Sequence, residues 1–291
     1  MLKDNIKSHL HLHLIVFIWG FTAILGSLIS LEAMPLVWYR MLLAVGFILI
    51  YVKLKKIPLQ VSQKEVLKFT LSGLIIAFHW FTFFKAIKVS NISVTLACLS
   101  TGAFFTTLLE PLFGKKKIVF YELILGLIVV AGLILIFHVE KKYVEGIILG
   151  LLSASLSATF AIVNSKFVKK HSPVVISFYE LLGGVLFFSV LLLITGGFNA
   201  SFFKISVNDF YYLLILSSIC TAYAFVVSTS VMKYLTPYTV MLTINLEPVY
   251  GIILAVILFE DKEKMSPEFY LGAFIILTTI LINGILKNRT K

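Results

Sequence analysis

The sequence is poor in charged residues and in cysteine. Only 13% of the 291 residues are charged and 59% are hydrophobic, whereas about a quarter of the residues in a soluble domain are charged. Too little polar surface is left to cover a globule in water, which excludes a soluble protein and indicates a chain that folds in lipid. The 2 cysteines stand far apart in apolar stretches. They provide neither a disulfide framework nor a CxxC metal-binding spacing.

Several motifs of enzymes and motors are also missing from the sequence. There is no GxxxxGK[ST] loop, which excludes an ATP-driven engine encoded in this chain. There is no HExxH motif, no Ser/His/Asp set at one depth and no arginine ladder of the kind found in voltage sensors. We therefore predict no catalytic residues, no metal site and no cofactor.

Long apolar runs are abundant instead. A helix needs about 20 apolar residues to cross the hydrocarbon core, and the runs are continuous rather than alternating, as helices in lipid require. We predict an all-α membrane protein with ten transmembrane helices: Leu12–Ser30, Pro35–Val52, Phe69–Lys85, Ile92–Leu109, Ile118–Phe137, Ile147–Val168, Val174–Ile194, Phe210–Met232, Tyr238–Phe259 and Phe269–Leu286.

The basic residues give this bundle an orientation. Most of the 25 lysines and arginines fall on the side that holds both termini. Because cytoplasmic loops carry the excess of Lys and Arg, we predict a multi-pass protein of the bacterial inner membrane with both termini cytoplasmic. Loops that face anionic lipid also account for the net charge of +11, so nucleic acid is not a predicted partner.

The two halves of the chain repeat weakly. Pro35 and Pro173 open the second and seventh spans, and Gly126 in the fifth span matches Gly272 in the tenth. Five helices per repeat is an odd number, so the second copy enters the membrane inverted, a recurrent plan of secondary transporters. The predicted five-helix repeats are residues 1–139 and 146–291.

Glu247 is the strongest functional candidate. It lies near mid-depth of the ninth span, where an ionisable group costs several kcal/mol and indicates function. Pro248 follows it and lacks the N–H that would bond the carbonyl of Ile244. With Asn245 beside it, this segment predicts a polar node for a cation, a proton or a polar solute. A structural glutamate bonded to another helix is the alternative.

A second Leu-Glu-Pro triplet, at Glu110 and Pro111, lies at the end of its span just before Lys115–Lys117. The repeat places Thr101 rather than Glu110 opposite Glu247. We interpret Glu110 as an interfacial carboxylate near those lysines.

Other polar and aromatic residues within spans are weaker candidates. A mid-membrane histidine can relay protons or bind solute, but histidines and aromatic rings in spans more often serve packing. The further predicted substrate-binding residues are His79, Trp80, Trp19, Asn164, Tyr223 and Asn245. The predicted structural or gating residues are Pro248, Pro111, Arg40, Glu110 and Gly20.

Two charges near the span ends have structural interpretations. Arg40, in the outer third of the second span, could snorkel outward or meet Glu32. Glu180, in the inner third of the seventh span, could face Lys166 or Lys169, and in an inverted repeat we do not expect it to pair with Arg40. A cavity without Arg or Lys at mid-depth argues against a strongly anionic substrate such as a sugar phosphate.

The chain resembles the drug/metabolite transporter superfamily and, within it, the EamA-like ten-helix permeases. The resemblance covers nearly the whole chain and rests on these residues: Trp19-Gly20, Arg40, Glu247-Pro248, and Glu260 before Gly272. It implies a secondary carrier with alternating access and a central cavity between the halves. Members of the family are mostly exporters of amino acids, metabolites or toxic compounds.

We therefore expect a permease, an exporter of small metabolites or amino acids, and proton coupling is left open. Its expected partners are a small solute and the lipid bilayer, and the protein is a monomer or a homodimer. Two other classes stay open. One is a membrane-embedded enzyme that acts on a lipid or isoprenoid substrate, and the other is a non-transporting assembly or sensor protein.

Overall fold

The computed structural model describes residues 2–113, 120–139, 141–260 and 263–289, and the regular structure in these residues is helical. The α-helices of the described residues are α1 (Leu2–Leu28), α2 (Ala33–Lys55), α3 (Gln63–Val89), α4 (Ile92–Leu99), α5 (Gly102–Phe113), α6 (Phe120–Val139), α7 (Val144–Phe167), α8 (Pro173–Ile194), α9 (Val207–Ser217), α10 (Ala224–Val231), α11 (Pro237–Ile244), α12 (Leu246–Phe259) and α13 (Pro267–Arg289). The lysines predicted beside Glu110, Lys115–Lys117, lie outside the described residues.

These helices form ten segments that can cross a membrane. Eight segments are long and apolar enough by length and composition, and two more contain shorter apolar stretches, Ile124–Ile136 in α6 and Pro267–Asn283 in α13. The eighth segment combines α9, a π-helix at Ser218–Tyr223 and α10. The predicted all-α class is confirmed, whereas the repeat boundaries stay a prediction.

The fourth and ninth segments are each broken into two helices, where the sequence predicts single spans. Between α4 and α5, the hydroxyls of Ser100 and Thr101 donate back to the carbonyls of Ala97 and Cys98 at 2.6 and 2.7 Å, which competes with the helical ladder. Between α11 and α12, the break falls at Asn245, three residues before the proline that removes an N–H.

Three pairs of segments that correspond in the predicted repeats pack against each other. α2 packs against α8, α6 against α13, and the broken fourth segment lies against the broken ninth, with α4 on α12 and α5 on α11. Each of these pairs joins corresponding members of the two halves. The two discontinuous segments therefore face each other in the middle of the bundle.

Glycines allow the closest of these crossings. A Cβ at Gly132 of α6 would lie 3.0 Å from the carbonyl oxygen of Gly272 in α13, and the reverse distance is also 3.0 Å. A Cβ at Gly73 of α3 would overlap the carbonyl group of Glu180 in α8. Small residues thus bring helix backbones into contact, as is usual where lipid supplies no hydrophobic drive between helices.

Candidate functional site

A cavity of ≈ 70 Å³ lies between the two halves. A water needs about 10–15 Å³ of such space, so the cavity holds about five waters or one small solute group. Residues from α1, α2, α3, α4, α7, α10, α11 and α12 form its wall. Among them are five of the residues predicted from the sequence: Trp19, Arg40, His79, Trp80 and Glu247.

Arg40 is directed into this cavity rather than toward the membrane surface. Its side chain is 1% exposed, and its guanidinium carbon lies 3.9 Å from the ring centroid of Trp80. Nε donates to the hydroxyl of Thr221 at 2.7 Å, while one terminal nitrogen is buried without a partner. The expected snorkelling is therefore wrong for this side chain, and the expectation of a cavity without a basic residue is also wrong. The cause is a cation–π contact together with one specific acceptor.

The π-helix at Ser218–Tyr223 prepares that acceptor. The Thr221 hydroxyl donates to the carbonyl of Leu216, five residues back, at 2.6 Å and accepts from Arg40. The neighbouring carbonyl of Cys220 accepts from the indole N–H of Trp19 at 3.1 Å. π-Bulges are frequent at functional sites because they redirect backbone groups. Sequence reasoning missed Thr221, although a threonine in the middle of an apolar span was the available signal.

Glu247 lies in the first turn of α12, directly after the break in the ninth segment. Its side chain is 6% exposed and lines the cavity. In the described part of the chain it accepts no side-chain hydrogen bond and forms no ion pair, but its charge interacts with that of Arg40. The helix N-terminus also favours a negative charge at this position. The carboxyl group is thus positioned by backbone geometry and left available to a ligand.

His79 is held in place by α7. Its Nδ1 lies 2.9 Å from the carbonyl oxygen of Ser153, and the Ser153 hydroxyl donates to the His79 carbonyl at 3.1 Å. A proton assigned to Nδ1 satisfies that carbonyl. Nε2 is then the ring nitrogen left to an occupant of the cavity.

Three predicted binding residues lie away from the cavity wall. The Tyr223 side chain is 44% exposed on the outer surface of the bundle. Asn164 is fully buried and donates to Glu180 at 2.8 Å. Asn245 is buried at the helix break, and neither of its side-chain polar atoms has a hydrogen-bond partner among the described residues.

The predicted gating residues occupy different settings. Gly20 lies inside continuous α1, where a Cβ would be 3.0 Å from the Cβ of Tyr250 in α12, so it permits close packing. Pro111 lies within α5, whereas Pro248 follows the break between α11 and α12. Glu110 is 9% exposed.

The two ends of the bundle differ. At the end where α4 begins, the carboxylate of Glu263 accepts from the N–H groups of Ile92 and Ser93, both at 2.9 Å. Nearby, Asp209 accepts from the N–H and the hydroxyl of Ser30 at 2.7 and 2.6 Å. We call the two hydrogen bonds from the start of α4 to the Glu263 carboxylate the α4 clasp. Bonds between distant segments join the helices at this end, and the space of ≈ 370 Å³ that Glu263 lines there shares no lining residue with the central cavity.

The opposite end contains a wider space of ≈ 480 Å³, which we call the lysine vestibule. Three lysines and Glu110 line it, together with the start of α11; the lysines are Lys166, Lys169 and Lys233. Met232 borders both the vestibule and the central cavity. The cavity therefore lies next to the vestibule and away from the clasped end.

Comparison with known proteins identifies the family. The EamA-like transporter family matches residues 7–138 and again residues 144–285. An uncharacterized transporter of Archaeoglobus fulgidus is 25% identical over 277 residues, which cover 91% of this chain and 92% of that protein. One crystal structure of a protein has the same fold, with a TM-score of 0.70 at 14% identity over 98% of this chain and 99% of the other. The chain therefore belongs to the EamA-like transporter family.

Proposed function

We propose that this chain is a secondary carrier for small zwitterionic solutes, amino acids or related metabolites. It exports them by alternating access across the inner membrane of a bacterium, with both termini in the cytoplasm. Family membership supports transport of a small solute and favours a carrier over the membrane-embedded enzyme and the sensor. One observation carries the solute class: a guanidinium and a carboxyl group line the same small cavity among aromatic rings.

The wall of the cavity complements both charges of a zwitterion. The unpartnered N–H donors of Arg40 suit a carboxylate, because guanidinium–carboxylate hydrogen bonds are among the strongest in proteins. Glu247 suits an ammonium group, and the rings of Trp19, Phe160 and Phe225 suit an apolar side chain. A solute with only one of these charges would leave the other protein charge buried without a partner, which is costly.

The surroundings of this cavity support a direction of transport and a route to coupling. The lysine vestibule lies on the predicted cytoplasmic side and borders the cavity through Met232, which supports entry from the cytoplasm and export. When the ammonium group leaves, Glu247 can take up a proton in its place, because an isolated buried carboxylate is unfavourable. Exchange of solute for proton at one carboxyl group is a simple route to coupling.

Flux into proteoliposomes tests the solute class. The panel consists of three compounds. An apolar amino acid carries both charges, its amide carries only the positive charge, and its N-acetyl derivative carries only the negative charge. Wild type should transport the amino acid best. Arg40→Gln and Glu247→Gln should each reduce its flux by about 10- to 150-fold, as expected for hydrogen bonds to charged groups worth about 1.5–3 kcal/mol.

A matched control and a pH gradient complete the experiment. Tyr223→Phe changes a side chain on the outer surface and should leave flux unchanged. The Glu247→Gln variant should also lose any acceleration by a pH gradient. Equal flux of all three solutes, or wild-type flux in both cavity variants, would show that this cavity does not select a zwitterion.

A further inference from the structure

Glu180 is a second buried carboxyl group, and it lies outside the cavity. It stands on α8 at the crossing with α3, where Gly73 lets the two backbones touch, and its side chain is 0% exposed. It lines none of the cavities described above. The transport mechanism proposed for Glu247 and Arg40 makes no use of it.

The hydrogen bonds of this carboxyl group are divided unequally. Oε1 accepts two bonds, from the hydroxyl of Ser72 at 2.8 Å and from the side-chain amide of Asn164 at 2.8 Å. Oε2 is buried and has no hydrogen-bond partner in the part of the chain that the structure describes. Two oxygens that can accept a hydrogen bond, Asn164 Oδ1 and the hydroxyl of Ser177 one turn before Glu180, are also buried without partners. The Ser177 hydroxyl is also a donor, yet it does not reach Oε2, so Oε2 can carry a proton without displacing a hydrogen bond.

No cation compensates a charge at this position within the described residues. α2, α3 and α10 pack against α8, and α7 reaches Glu180 through Asn164. α10 carries no titratable side chain. Several charged or titratable side chains on or beside these elements have partners elsewhere: Arg40, Lys68, His79, Lys166 and His171. Lys169 and Lys170 line spaces that Glu180 does not border. A charged carboxylate without a counter-ion costs several kcal/mol in an apolar interior.

We propose that Glu180 is a proton-binding site of the carrier, separate from the solute cavity, which ties α3 and α7 together in its protonated form. A proton needs no cavity volume, unlike a sodium ion with several oxygen ligands, and Glu180 lines neither the central cavity nor the lysine vestibule. The proton is bound to Oε2 and is transferred to water when the helices separate. No other group of the protein changes its protonation state.

The position of the site explains how such a proton affects transport. Ser72 is on α3, which brings His79 and Trp80 to the cavity, and Asn164 is on α7, which brings Ser157. One carboxyl group therefore holds two walls of the cavity. Loss of the proton leaves a buried charge without a counter-ion at this crossing, which favours a state in which α3 moves relative to α8 and water reaches the carboxylate. This coupling rests on the carrier function proposed above, whereas the protonation itself does not.

Infrared difference spectroscopy of the purified protein in lipid tests the site without any solute. The spectrum of wild type minus Glu180→Gln at neutral pH should contain the carbonyl stretching band of a protonated carboxyl group, and this band should shift in D2O. Bands of a carboxylate in its place would overturn the proposal. So would a carboxylate band that responds to added sodium, which would assign the site to a metal ion. Glu247→Gln is the matched control and should leave the Glu180 band in place.

A second variant keeps the test valid if Glu180→Gln does not fold. Ser72→Ala removes one donor to the Oε1 carbonyl, so the band should move to higher frequency; an unmoved band would show that it does not arise from Glu180. The two proposals also fail separately. A protonated-carboxyl band without solute flux would refute the carrier and keep the proton site, and flux with a carboxylate band would do the reverse.

Discussion

Replacing Glu263 with glutamine should open the end of the carrier that the α4 clasp closes. The Glu263 side chain is 3% exposed, and its oxygens accept from the N–H groups of Ile92 and Ser93 and from the Ser93 hydroxyl, all at 2.9 Å. Both N–H groups belong to the start of α4, where they have no intrahelical acceptor and where a negative charge is favoured. The clasp therefore stabilises the arrangement in which this end is closed.

The size of the effect follows from these bonds. Glutamine keeps one acceptor oxygen but replaces the other by an NH2 group, which cannot accept from an N–H. Loss of one hydrogen bond to a charged group costs about 1.5–3 kcal/mol, and loss of the charge at the helix N-terminus adds about 0.3–1 kcal/mol. If the open state lacks the clasp, the closed-to-open ratio should fall by about 2–4 kcal/mol, or roughly 30- to 700-fold.

Thiol labelling measures that ratio. The assay uses Ser157→Cys on the cavity wall as the reporter, in a chain whose two cysteines, Cys98 and Cys220, are replaced by alanine. A membrane-impermeant maleimide is added from either side of the membrane. Glu263→Gln should label faster from the clasp side, whereas Glu268→Gln, which changes an exposed glutamate in the first turn of α13, should not.

The thermal unfolding of the same variants separates two interpretations. A clasp that only supports the fold would lower the melting temperature of the Glu263→Gln variant without changing the labelling rate. That result would refute the gating role. Faster labelling from both sides at once would indicate general loosening and would refute it as well.

Other predictions follow from packing and exposure. Gly73→Ala places a methyl group against the carbonyl of Glu180 and should destabilise the protein by about 1–3 kcal/mol, whereas Gly46→Ala meets nothing within 4 Å and should be neutral or stabilising by up to about 1 kcal/mol in thermal unfolding. Trp80→Leu removes the ring beneath the guanidinium and should weaken solute binding, while Tyr223→Leu should leave the binding isotherm unchanged. The reverse ranking of the last two variants would contradict the assigned cavity.

The sequence predicted the features that depend on the length of the apolar runs and on the position of a residue along a span. Continuous apolar runs set the number of helices, and an ionisable residue near the middle of a span identified Glu247, because such a group is too costly to place there without a role. Proline at position 248 predicted a weakness close to the observed break. These inferences need only the position of a residue along one helix axis.

The features that depend on which face of a helix points into the bundle could not be predicted from the sequence. The partners of Arg40, Thr221 and the Trp80 ring, come from segments far apart in the chain. Spans that are apolar on all sides carry little sign of which face is internal. Tyr223 and Asn164 were misplaced relative to the cavity for the same reason. The π-helix depends on a hydrogen bond five residues back, which no simple pattern announces.

The different chemistry of the two ends gives the carrier a preferred resting state. Inversion of the repeats implies that the start of α11 closes in the opposite state, as the start of α4 is closed here. Closing that end would bring Lys166, Lys169 and Lys233 of the lysine vestibule together, and Glu110 is the acidic residue that lines it with them. The repulsion favours an empty carrier that rests with the vestibule open, and salt screens it, since the Debye length is about 8 Å at physiological ionic strength. Labelling of the reporter from the vestibule side should therefore decrease as salt increases, and a rate independent of salt would contradict this asymmetry.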